Sequence, residues 1–125
     1  MKSTVVSNGI AIGLLLMMFV GSAFAAVNTK DVVGTWKYEA PYAPYEYSTG
    51  KLVFSEEGGK LTGKIKIGQY EIEMRNVKIE GDQVKFGAYI EGEYISLAMT
   101  PKKNTFTGTA SYSEGSLEVS GEKEK

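Results

Sequence analysis

From Trp36 to Val119 apolar residues recur at every second position in short runs, and each run is broken by a glycine-bearing turn. Leu52 and Phe54 share a parity, as do Leu61, Gly63, Ile65 and Ile67, with Thr62, Lys64 and Lys66 between them. Period two is the signature of half-buried strands, and turns this tight join antiparallel neighbours. Tyr70, Ile72 and Met74 alternate, but the next apolar residues are Val77 and Ile79, so one extra residue near Arg75-Asn76 predicts a β-bulge. Three further alternating runs, Val84 to Ile90, Ile95 to Met99 and Phe106 to Tyr112, lead through a last turn to Leu117 and Val119, with Glu-Gly and Pro-Lys-Lys-Asn turns on the way. The expectation is all-β: an antiparallel up-and-down meander of about eight strands. Such a meander hides its edges by closing, which pairs the last strand with the first and makes a small barrel.

A leader precedes this pattern. Lys2, the apolar run Ile10 to Val20 and Ala23-Phe24-Ala25 form a charged start, an apolar centre and an A-x-A cleavage site. The run is shorter than the roughly 20 residues a membrane-spanning helix needs. Residues 1–25 therefore read as a signal peptide and 26–125 as one exported domain, periplasmic or secreted, with no stable membrane insertion. Removing the leader takes away a single charge, shifting the formal net charge from −1 to about −2. The scattered lysines build no basic face for nucleic acid.

Composition narrows the chemistry. With no histidine and no cysteine, imidazole bases, thiolate nucleophiles and the usual zinc, copper, haem and iron-sulfur ligation are excluded. The two aspartates, Asp31 and Asp82, are isolated, so no Asp-x-Asp-Gly calcium loop exists. Paired carboxylates remain the one catalytic set available, yet most glutamates fall on outward strand positions or turn tips. The chain is expected to be non-enzymatic and monomeric, with no cofactor and no metal.

Gly34-Thr35-Trp36 follows Asn28 to Val33, a segment able to form a short helical turn capped by Asn28 or Thr29. A Gly-x-Trp entering the first strand of a meander resembles the lipocalin-like, calycin group of barrels. The apolar-Thr-Gly openings at Leu61-Thr62-Gly63 and Phe106-Thr107-Gly108 and the Glu-Gly hairpins are similar to small exported bacterial proteins of that type. The resemblance implies a barrel that binds a small molecule. Lipocalins proper also carry a Thr-Asp-Tyr-type motif and a late arginine packed on the tryptophan; here the one arginine is Arg75, in mid-chain.

Candidate ligand contacts are Trp36, Tyr38, Tyr42, Tyr45, Tyr47, Met74, Met99 and Tyr112. Trp36 equally suits closing one barrel end, and the methionines equally suit filling gaps in a core. Tyr38 to Tyr47 is a proline-stiffened tyrosine segment, read as a loop or edge because of Pro41 and Pro44. It fits either a plug over one barrel end or a recognition surface. The remaining inward residues, Leu52, Phe54, Ile65, Ile67, Ile72, Phe86, Ile90, Ile95, Leu97, Phe106 and Leu117, either fill the barrel or line an apolar pocket. For a carboxylate ligand only Tyr70, Tyr112 and Arg75 stand ready to offset the buried charge. The leading expectation is an apolar or amphipathic small-molecule binder. The alternative is a protein- or glycan-interaction module acting through the loop at 38–47, for example a periplasmic hydrolase inhibitor; bacterial protease inhibitors of small-barrel type are broadly similar but commonly disulfide-bridged.

Overall fold

A computed structural model describes residues 27–125, and the expected signal peptide lies outside them. A short helix, α1 (Thr29–Val32), leads into nine antiparallel strands: β1 (Gly34–Glu39), β2 (Thr49–Glu57), β3 (Lys60–Ile67), β4 (Tyr70–Glu73), β5 (Arg75–Glu80), β6 (Gln83–Ile90), β7 (Glu93–Lys102), β8 (Thr105–Tyr112) and β9 (Gly115–Lys123). Asn28 occupies the N-cap of α1 but makes no side-chain capping bond. The strand order is β4-β3-β2-β1-β9-β8-β7-β6-β5, so every strand but β4 neighbours the next in sequence and the last pairs with the first. Trp36 lies opposite Lys123 and Tyr38 opposite Gly121 in that closing pair. Residues 121–123, beyond the last alternating apolar residue Val119, are therefore part of the strand that closes the barrel.

The two free edges of this sheet, β4 and β5, are consecutive in the chain and separated by Met74 alone. They act as one strand broken in the middle: β4 pairs with β3, and β5 pairs with β6. The predicted bulge is this seam. The β5 register shifts between Arg75 and Lys78, and Asn76 turns left-handed at φ 54. A bulge bends its strand, and here the bend passes the chain from one sheet edge to the other. Nine strands replace the expected eight because of this break. The result is a nearly closed up-and-down barrel.

Hairpin geometry follows from local chemistry. Gly58-Gly59 and Glu91-Gly92 have both central residues at positive φ, the type I′ arrangement whose twist matches paired strands. Pro101, expected in a turn, lies within β7, whose turn is Lys103-Asn104. It is tolerated because the β6 ladder ends at the Val84–Met99 pair, so no donor is needed there.

Up-and-down winding sorts the loops into two ends. Residues 40–48, 68–69, 91–92 and 113–114 rim one end, while α1 and the turns at 58–59, 81–82 and 103–104 lie at the other. Trp36 anchors the α1 end. It is fully buried, donates Nε1–H to the Val32 carbonyl at 2.9 Å, and meets Phe106 edge-on with centroids 5.8 Å apart. Phe54 and Phe86 make a second edge-on pair at 5.6 Å, and Met99 and Val84 are buried with them. This half of the barrel is solid.

Lys123 completes the closed end. Its Nζ stands 5.5 Å from the Trp36 ring centroid and donates to the Asp31 carbonyl at 3.1 Å. A late lysine thus occupies the place over the tryptophan for which the resemblance led us to look for an arginine. Gly34 makes the room: a Cβ there would lie 2.8 Å from Lys123 Cε, and its φ of 135° disfavours any side chain.

Candidate functional site

The rim end of the barrel is hollow. A cavity of about 350 Å³ runs inward from the rim, walled by β1, β2 and β3 on one side and by β6, β7, β8 and β9 on the other. Leu52, Ile65 and Ile67 face Ile95, Leu97, Leu117 and Val119 across it. Ala110 is the small residue on this wall, directly opposite Leu97 in one ladder and Leu117 in the other. The size falls in the ordinary range for small-molecule sites, about 300–1,000 Å³. The alternatives of a filled barrel and an apolar pocket resolve by depth: large aromatics fill the α1 half, and aliphatic and small residues leave the rim half empty.

The tyrosine loop forms the roof. Ala40 N–H donates to the Ser48 carbonyl at 2.7 Å, pinching the loop shut at its base, and a 3-10 turn spans Tyr45–Tyr47. Tyr38 rises from β1, buried, and donates its hydroxyl to the Tyr47 carbonyl at 3.0 Å. Burial pushes the Tyr38 pKa up to about 12. Tyr47 reaches across the mouth to donate to the Glu91 carboxylate in the opposite turn, and this bond, joined by Glu91's charge, raises its pKa to about 12. The roof is thus tied to both sides of the barrel.

Two carboxylates complete the rim. Glu91 is fixed by its type I′ turn, and Glu93 begins β7; both line the cavity. Glu93 Oε2 accepts from the Ser113 backbone N–H at 3.0 Å and from the Ser113 hydroxyl. These two bonds hold its carboxyl below the usual carboxylate range. The lining contains no lysine and no arginine.

Of the eight residues singled out in the sequence, Tyr38, Tyr42, Tyr47 and Tyr112 come together on this cavity. The other four lie elsewhere. Trp36 and Met99 pack in the solid half. Met74 lies at the seam, its thioether in the space a Gly63 side chain would need. Tyr45 is 94 % exposed and points away, while Tyr42 lines the mouth though 75 % exposed. Of the other expected inward residues, Phe54, Phe86 and Phe106 are buried in the solid half, and Ile72 packs half-buried at its edge. Within one loop, therefore, Tyr47 closes over the cavity while Tyr45 is turned to solvent.

Of the three groups held ready for a carboxylate ligand, Tyr112 lines the cavity, while Arg75 and Tyr70 are absent from its wall. Arg75 lies on the outer surface with its guanidinium 5.2 Å from the Tyr89 ring centroid, and Tyr70 is exposed on β4. Ala40, Ala43, Ala110, Val119, Glu91 and Glu93 escaped the sequence reading. The glutamates carried a signal, a Glu-Gly-Glu turn, but turn tips ordinarily present carboxylates to water. Among the described residues no cluster of carboxylates could hold a metal ion.

No protein-family model and no curated protein sequence matches the chain. Among solved structures, the crystal structure of a mutant of the fluorescent protein UnaG is similar, with a TM-score of 0.51 and 16 % identity over 78 % of this chain and 99 % of that one. With strands wound up and down, the first and last paired, and a likeness that spans nearly the whole of the other chain, the protein has the lipocalin-like calycin barrel fold.

Proposed function

We propose that the chain is an exported, non-enzymatic binder of a small apolar or amphipathic molecule, held in the rim half of the barrel beneath the tyrosine loop. The observation that carries this reading is the cavity of about 350 Å³, aliphatic in its depth and polar only at its mouth. An empty apolar space of this size forfeits packing contacts that a filled core would make, so a barrel without a ligand has reason to close it. The calycin fold agrees with such a role without identifying the ligand. The leader-like start of the sequence supports an encounter in a periplasm or outside the cell.

Native mass spectrometry of the mature protein from its own host's exported fraction tests the reading. An adduct that leaves on organic extraction supports it and gives the ligand's mass. A bare polypeptide that also takes up no apolar probe would refute it and return the protein- and glycan-interaction reading through Tyr42 and Tyr45.

A further inference from the structure

The lining bears on the ligand's charge as well as its apolarity. All four loops at the open end are free of lysine and arginine: residues 40–48 contribute Glu46, 68–69 no charge, 91–93 contribute Glu91 and Glu93, and 113–114 contribute Glu114. The basic residues lie along the strands or at the α1 end, where Lys64 and Lys66 pair with Glu71, and Lys78 and Lys85 with Glu80. The loops of the open end thus carry acidic charge alone around an apolar hole, an arrangement that draws cations toward the mouth.

Glu91 and Glu93 both reach the cavity wall. Each spends Oε2 on a rim hydrogen bond, to Tyr47 and to Ser113 respectively, which fixes the carboxylate in place. An anionic head group at this mouth meets two carboxylates and no cation, with only neutral tyrosine hydroxyls such as that of Tyr112 to replace its hydration. A protonated amine meets two fixed acceptors.

Resting on the cavity as the binding site, we propose that its ligand class is the amphipathic amine, with the apolar body among Leu52, Ile65, Leu97 and Leu117 and the protonated nitrogen at the rim beside Glu91 and Glu93. The apolar wall supplies affinity, and the carboxylates select the head group.

Three probes with the same tail and different heads separate this from the cavity reading itself. Decylamine, decanol and decanoate are titrated calorimetrically into the mature protein at neutral pH and low salt, below their micelle concentrations. Decylamine is expected to bind about tenfold tighter than decanol, the combined worth of two partly exposed ion pairs, and decanoate more weakly than decanol. Added sodium chloride narrows the gap. The double variant Glu91→Gln/Glu93→Gln brings decylamine to the affinity of decanol. The charge-matched variant Glu56→Gln/Glu57→Gln, at the opposite end, preserves the preference.

Decanoate binding as tightly as decylamine overturns the head-group inference and leaves the cavity reading intact. So does a preference that survives the rim variant, or one that the distant variant abolishes equally. Failure of all three probes to bind overturns the cavity reading and this inference with it.

Discussion

Placing one phenylalanine at two sites tests whether the barrel is solid at one depth and hollow at another. Ala110, on β8, and Ala88, on β6, both point inward and are 7 % and 0 % exposed. Ala110 lines the cavity; Ala88 does not, and is enclosed by core on the strand that carries Val84 and Phe86. In Ala110→Phe the ring enters existing space without displacing neighbours. Burying a phenylalanine in place of an exposed one yields about 1.5–3 kcal/mol, and subtracting what alanine already buries leaves about 1–2 kcal/mol of stabilisation. For a domain of this size that raises Tm by about 4–8 °C per kcal/mol. In Ala88→Phe the same ring must push apart a packed wall, at a cost of about 1–3 kcal/mol. Urea unfolding followed by Trp36 emission measures both, since Trp36 is the chain's one tryptophan and is fully buried. Ala110→Phe should also weaken decanol binding at least tenfold by occupying the site. Equal destabilisation by the two substitutions would show that no space exists beside β8. A stable Ala110→Phe protein that binds decanol unchanged would remove the cavity from function.

Two further outcomes follow from the closed end and the roof. Lys123→Met removes both the charge over Trp36 and the bond to the Asp31 carbonyl, a loss of about 1–2 kcal/mol with a shift in Trp36 emission. Because a Cβ at Gly34 would lie 2.8 Å from Lys123 Cε, Gly34→Ala in a Lys123→Ala background, which removes that atom, should cost less than in wild type, and additive losses in the double-mutant cycle would break the assignment. In alkaline titration Tyr38 and Tyr47 should ionise near 12. Their native pKa values exceed the unfolded value, so above pH 10 the unfolded state holds fewer protons and stability falls as pH rises toward 12, while below 10 the contribution is fully present. For buried Tyr38 the fall is about 2–3 kcal/mol. Tyrosinate absorbance showing no group that ionises near 12 would refute the burial of Tyr38 and the bond from Tyr47 to Glu91.

Period-two alternation is a local property of the backbone, and it carried the strand class, the meander and the face of each residue. The slip from Met74 to Val77 marked the seam, because one extra residue on a strand inverts every later side chain unless a bulge absorbs it. The Tyr-Pro segment marked the roof, since proline breaks a ladder wherever it stands in mid-sheet. Alternation assigns a residue to the inside without saying how far along the barrel axis it lies. Trp36, Phe54, Phe86 and Met99 share their inward parity with Ile65, Leu97 and Leu117, and only packing in the closed barrel separates the filled half from the hollow one. Contacts between distant segments were equally invisible. Lys123 reaches Trp36 because β9 closes on β1, and Tyr47 reaches Glu91 because their loops share a rim. Sequence alone determined a cysteine-free β-meander with an aromatic loop. Depth along the barrel, the cavity and its acidic mouth were decided by closure, which brings together side chains that no local pattern relates.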